Sequence, residues 1–265
     1  MKKTVDFNGK KISYSVYGEG NPVILLHGFG EDDSVWKNQI PFLKQDFKVI
    51  VPQLPGTGES ELLDEMSMET MAASVMQIAD AEHLEKFVVI GHSMGGYTTL
   101  AFAEKYMDRL KAFGLYHSTS IADSEEKIAN RKKGIDFVKK HGALAFLKSI
   151  TPNLFSEITR NNNPDLVMQT VDNIPNFSDE SVIAYYEAMI ARRDRTDVLE
   201  TAPVPVLFII GKSDGLIPYQ DALSLSSLPE KSYIYLLENS GHLGMLEEVE
   251  ESNIALNEFL TEIYN

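Results

Sequence analysis

The segment "GHSMG", residues 91–95, places a serine between two glycines where an apolar run, 87–90, gives way to a helical pattern. A strand that turns sharply into a helix there would hold Ser93 at a strained apex with its hydroxyl exposed, and glycine at 91 and 95 removes side chains that would collide at the bend. Read alone, the same serine is an ordinary helix cap. A serine hydroxyl is a weak nucleophile at neutral pH and needs a base within hydrogen-bond reach. Six histidines compete for that role: His27, His83, His92, His117, His141 and His242. In a nucleophile elbow the partners follow in the order Ser, Asp or Glu, His, each from a loop at the carboxyl end of a strand. His242, in "LLENSGHLG" just past the last apolar run, fits the base. Asp214, in "VLFIIGKSDGLIP", fits the acid that fixes the imidazole tautomer, although an aspartate before glycine, taken alone, is a turn residue.

The other histidines have plainer readings. His83 and His141 sit at helix ends, His92 points away from the nucleophile, and His27 fixes the loop after it. His117 ends a strand and either lines a pocket or packs. A tetrahedral oxyanion would need backbone donors, each contributing roughly 3–4 kcal/mol. The Met94 N–H, directly after the serine, is one. The Phe29 N–H in "LLHGFGEDDSVW" (25–36) is the other, with Gly28 and Gly30 allowing close approach.

These loops must be carried by strands. "TVDF", Asn8-Gly9 and "KISYSVYG" read as a hairpin with a tight turn. Continuous β-branched runs follow at 22–28, 47–52, 86–92, 110–117, 204–211 and 233–237, the pattern of strands buried on both faces of a parallel sheet. Helical patterns at 67–83 (capped by Ser67), 94–106 and 247–263 alternate with them, predicting a doubly wound α/β fold. Between Ser118 and Ala202 only helical segments are found. One has an Asp123/Glu126 capping box and ends at Gly142, and another starts at Ser178. The prediction is a core of residues 1–117 and 203–265 with a helical cap, 118–202.

The formal charge of −15, from 39 acidic and 24 basic residues, argues against nucleic acid or an anionic membrane as a partner. With no cysteine, disulfides, thiolate nucleophiles and cysteine metal sites are excluded. "MKKTVDFNGK" has a signal peptide's charge but no apolar segment after it, and no later run reaches the ~18 residues of a membrane span. The expectation is a soluble, cytoplasmic protein. "PGTGES" lacks the spacing of a nucleotide-binding loop. "EDD" (31–33) reads as acids entering a helix, and "RRDR" (192–195) as a solvated helix end in preference to a grip on a substrate carboxylate.

Together, "HGFG", "LPGTGES", "GHSMGG", "GKSDGLIP" and "SGHLGMLEE", in this order over nearly the whole chain, resemble the α/β-hydrolase superfamily. The resemblance implies a mostly parallel eight-stranded sheet, a helical cap after the sixth strand, and no metal or organic cofactor. It also implies Trp36 as a residue near the substrate pocket; His117, from its place at a strand end, is a second candidate there. Where relatives usually carry aspartate before "xPGxGxS", this chain has Gln53, which is expected to change a structural hydrogen bond. The expected activity is hydrolysis of a small or medium carboxylic ester through an acyl-enzyme. Ser93 argues against the dehalogenases and epoxide hydrolases of the fold, which use aspartate. Lactone hydrolysis, carbon–carbon cleavage, acyl transfer, perhydrolysis and a ligand receptor that keeps the triad stay open, as does the oligomeric state.

Overall fold

The computed structural model describes all residues, Met1–Asn265. β1 (Lys2–Phe7) and β2 (Lys10–Tyr17) form the hairpin, and Asn8 and Gly9 take φ values of 54° and 78°, as a two-residue turn of this hand requires. Next come β3 (Asn21–Leu26), a 3-10 turn at Asp33–Trp36, α1 (Ile40–Leu43) and β4 (Phe47–Pro52). They are followed by α2 (Met68–Ala81), β5 (Phe87–His92), α3 (Met94–Tyr106) and β6 (Leu110–Tyr116).

Six helices then intervene before the next strand: α4 (Glu125–His141), α5 (Ala143–Ile150), α6 (Glu157–Asn162), α7 (Pro164–Asp172), α8 (Asp179–Ala191) and α9 (Thr196–Glu200). β7 (Val206–Gly211), α10 (Tyr219–Leu225), β8 (Ser232–Leu237), α11 (Gly244–Glu247) and α12 (Val249–Tyr264) complete the chain. No helix is long and apolar enough to cross a membrane.

The eight strands make one sheet in the order β1-β2-β4-β3-β5-β6-β7-β8, antiparallel only at the β1 and β2 edge. β5 and β7 are buried along their whole length, which explains their unbroken apolar runs. Alternate side chains enter two cores. Ile24, Leu26 and Val89 face α2, α3 and the inserted helices, whereas Val23, Leu25 and Ile90 face α12. The order sets β3, β5, β6, β7 and β8 side by side, so that the loops leaving their carboxyl ends meet along one edge.

Helix boundaries follow side-chain chemistry. Ser67 and Thr70 form a reciprocal capping box on α2, Ser178 caps α8, and Gly142 ends α4 at φ 86°. The expected cap on α4 is corrected: Ser124, not Asp123, accepts the Lys127 N–H. Asp123 is drawn inward instead and pairs with Arg131 and Arg192. "RRDR" is likewise not a solvated helix end. Arg192 and Arg195 are buried, and Arg195 reaches Glu69 on α2 and Glu104 on α3, tying the inserted helices to the core.

Candidate active site

Ser93 follows the last residue of β5 and adopts φ 51°, ψ −115°, a left-handed value rare for a side chain other than glycine. Its side chain makes no cap bond to α3, so the hydroxyl is not spent on the helix. The bend is held from both sides: the Ser93 N–H donates to the Tyr116 carbonyl at 2.9 Å, and the Ser118 hydroxyl donates to the Ser93 carbonyl at 2.8 Å. Glycine is required by space. A Cβ on Gly91 would overlap the Gly95 carbonyl, and one on Gly95 would sit 2.6 Å from the Leu26 carbonyl oxygen.

His242, in the loop after β8, is 3% exposed and bonds through Nδ1 to Asp214 Oδ2 at 2.8 Å. Asp214 lies after β7, and its other oxygen accepts the Leu216 and Ile217 N–H groups at 2.8 and 3.0 Å. Burial alone would raise the Asp214 pKa. The charge of His242 and the hydrogen bonding around the carboxylate outweigh it, so the group is held well below the usual carboxylate range. The converse holds for His242. Burial opposes its charge, but Asp214, with smaller help from Glu31 and Glu247, raises its pKa above the ordinary value. Nδ1 is thereby the protonated nitrogen of the neutral ring, which leaves Nε2 with a lone pair. Nε2 is buried and has no hydrogen-bond partner in the protein.

Ser93 and His242 both border a cavity of about 620 Å³, enclosed by the core loops on one side and α4, α5 and α8 on the other. No hydrogen bond joins Ser93 to His242 here; such contacts commonly tighten only when substrate is bound. The Phe29 N–H, on the loop after β3, has no acceptor in the protein. Met94 opens α3, where the leading amides have no partner within the helix. Phe29 also borders the cavity, its ring stacked on Tyr186 of α8 at 4.4 Å. The arrangement can accept a proton from a serine hydroxyl and offer backbone N–H groups to a developing negative charge.

Two expectations about the pocket are corrected. Trp36 is fully buried, edge-on to Tyr116 at 5.6 Å, because the 3-10 turn rotates it into the core on the α12 side. It does not line the cavity. Neither does His117, which is 2% exposed beneath His242 with ring centroids 5.9 Å apart. The Gly211 N–H donates to His117 Nδ1 at 3.0 Å, so that nitrogen carries a lone pair and cannot also donate to Asp214, 3.4 Å away. Burial, only partly offset by Asp214, lowers the His117 pKa to about 4, leaving the ring neutral near pH 7.

The remaining candidates have structural partners. His27 accepts the Leu54 N–H at 3.0 Å, pinning the loop after β3. Gln53 uses both ends of its amide, donating to Asp33 and accepting from the Glu59 N–H at 2.9 and 2.8 Å; a carboxylate there could not donate to Asp33.

Sequence reasoning missed Glu31 and Glu247. Glu31 does not enter a helix: its Oε2 accepts the Gly28 N–H at 2.7 Å and meets His92 Nδ1 at 2.9 Å, while His92 Nε2 meets the His242 carbonyl at 2.8 Å. The two ring nitrogens of His92 thus span Glu31 on one side and the His242 carbonyl on the other. This bridge links the loop after β3 to the loop of His242, passing behind Ser93. Glu247 accepts the Gly241 N–H at 2.9 Å and the Ser156 N–H at 2.8 Å, joining the His242 loop to the inserted helices. An acid next to "HGFG" and another in "GMLEE" were the only signals in the sequence for either contact.

Known proteins share the fold. The alpha/beta hydrolase fold family matches residues 21–132. A thermophilic esterase from Thermogutta terrifontis, solved with malate bound, superposes with a TM-score of 0.94 at 31% identity over 100% of both chains. Curated relatives include the 2-hydroxy-6-oxo-6-(2'-aminophenyl)hexa-2,4-dienoic acid hydrolase of Metapseudomonas resinovorans, 26% identical over 98% of this chain and 91% of that one. The pimeloyl-[acyl-carrier protein] methyl ester esterase of Vibrio cholerae is 27% identical over 94% and 97%. The chain belongs to the α/β-hydrolase superfamily and is an enzyme of the hydrolase class.

Proposed function

We propose that the protein is a serine esterase that cleaves a small or medium carboxylic ester through an acyl-enzyme. Ser93 attacks the ester carbonyl as its proton passes to His242 Nε2, and Asp214 orients the imidazole and stabilises the imidazolium. The Phe29 and Met94 N–H groups hold the tetrahedral oxyanion. Collapse expels the alcohol, which takes the proton from His242. Water, deprotonated by the same nitrogen, then attacks the acyl-serine and releases the acid. Residues 118–202 act as a cap over a core of 1–117 and 203–265, and the cap walls select the substrate.

The observation supporting this reading is the convergence of Ser93 and an Asp214-bonded His242 on one cavity of a size that suits a small ligand. The names of the esterase relatives support the same bond type. The test is steady-state turnover of p-nitrophenyl acetate and butyrate with Ser93→Ala as control. Sustained turnover lost in the variant supports the assignment. A single slow turnover would indicate a receptor, and activity near wild type in Ser93→Ala would remove Ser93 from the mechanism.

A further inference from the structure

The charge on the cavity wall is opposite in sign to that of the protein. Six of the 24 Lys and Arg residues lie on the 17 residues of α4, against three acids, in a chain whose net charge is −15. Lys127, Arg131 and Lys133 of that helix line the cavity with Asn130, and the only carboxylate in the lining is Glu31, on the core side, bonded to the Gly28 amide and His92. Neither lysine has a carboxylate within ion-pair distance; Lys127 reaches only the Leu216 carbonyl, at 3.3 Å.

Arg131 is more than a surface cation. Its Nε and one terminal nitrogen engage Asp123, while its other terminal nitrogen makes no hydrogen bond. Asp123 is shared with Arg192 at 2.9 Å, so two guanidiniums meet one carboxylate and the cluster keeps a net positive charge. The Arg131 guanidinium lies over the Tyr186 ring at 5.5 Å, and Tyr186 stacks on Phe29. That column runs from the cation on α4 to the loop carrying the Phe29 amide, along the wall of the cavity.

We propose that this wall recognises a carboxylate, so that the substrate is an ester bearing a free carboxylate remote from the bond that is cut. This rests on the esterase reading above and names its substrate class. Arg131, with its uncommitted nitrogen, is the principal recognition residue, and Lys127 and Lys133 supply further positive potential at the mouth. Glu31 sets the direction: a carboxylate near the core end would meet its charge, so the anionic end lies against α4 and the ester against Ser93.

The test compares monomethyl succinate, adipate and suberate with the same esters carrying a carboxamide in place of the free carboxylate, by methanol release. A second pair puts the carboxylate on the alcohol side: the acetate ester of 6-hydroxyhexanoate against its amide, by acetate release. In the wild type kcat/KM for the best acid exceeds that for its amide at least tenfold. The ratio falls about tenfold in Arg131→Gln and about threefold in each of Lys127→Ala and Lys133→Ala. Lys139→Ala and Lys140→Ala, on the same helix but outside the cavity lining, leave it unchanged. Arg131→Gln leaves Asp123 paired with Arg192, and thermal melting checks its fold. A ratio near one with Ser93-dependent turnover of the amides overturns the inference and spares the esterase reading. So does a preference for acids that the three substitutions do not alter. If no ester is cleaved, the esterase reading fails, and calorimetric titration of adipate into the wild type decides recognition. Binding weakened most by Arg131→Gln and less by Lys127→Ala and Lys133→Ala supports it; no binding, or binding that the three substitutions leave unchanged, overturns it.

Discussion

Replacing Asp214 by Asn would change the proton map of the site while keeping its shape. Oδ1 accepts two backbone N–H groups, from Leu216 and Ile217, so the amide oxygen of an asparagine is drawn to that side. Its NH₂ then faces His242 Nδ1, where Oδ2 now accepts at 2.8 Å. Two donors cannot share that contact. The imidazole must move its proton to Nε2, the nitrogen that should receive the proton of Ser93, and the base is lost. In triads of this kind the exchange lowers kcat about 10⁴-fold, equivalent to about 5 kcal/mol of barrier. The same substitution removes the charge that raises the His242 pKa and leaves burial, which lowers it. The residual activity therefore has an acid limb displaced to lower pH. The assay is kcat/KM for p-nitrophenyl butyrate from pH 5 to 9 in both proteins, with melting curves to confirm that the variant is folded. A folded Asp214→Asn protein within tenfold of wild type, with the acid limb unmoved, would show that Asp214 does not set the tautomer of His242.

In the wild type, kcat/KM should fall on acidification with a midpoint above the ordinary histidine value of 6.5, because Asp214 raises the His242 pKa and only neutral imidazole accepts the proton; the pH–rate profile measures it. His92→Ala breaks the bridge from Glu31 to the His242 carbonyl and should lower kcat about tenfold with a smaller change in KM. If the bridge acts as a unit, Glu31→Gln should lose nearly the same amount and the double variant little more, which a double-mutant cycle reads. Gly91→Ala drives a methyl group into the Gly95 carbonyl and should destabilise the fold by about 4 kcal/mol or more, seen in denaturant unfolding. Arg195→Ala should cost only about 1–2 kcal/mol in the same experiment, because Glu69 and Glu104 stay in contact with water when their partner is removed.

The sheet was legible because β5 and β7 are covered on both faces and read as unbroken apolar runs. The places of Ser93, Asp214 and His242 followed from one rule, that such groups sit just past the carboxyl ends of strands, and the chain order of the loops did the rest. What escaped were contacts between segments distant in sequence. Asp123 looked like a helix cap because local spacing cannot show that Arg192, 69 positions on, competes for it. Trp36 was expected near the pocket from the resemblance, and nothing in the local sequence shows how the 3-10 turn rotates it away. His117 was ambiguous because a histidine ending a strand can face the cavity or lie under its neighbour. The outcome depended on Gly211 and Gly244, whose missing side chains leave room for the ring. Glu31 gave no periodic or motif signal, since its partner lies 61 residues away.

In the proposed reaction an acyl group passes through the oxygen of Ser93. Rapid quench of the protein with p-nitrophenyl acetate, followed by peptide mass mapping, detects that intermediate. The expected result is one added acetyl group on the peptide carrying "GHSMGG", located at Ser93 and absent from Ser93→Ala, formed in a burst of nitrophenol stoichiometric with protein wherever deacylation limits the rate. An enzyme that keeps turning over when Ser93 is replaced, or that carries its acyl group on another residue, would contradict the proposed reaction.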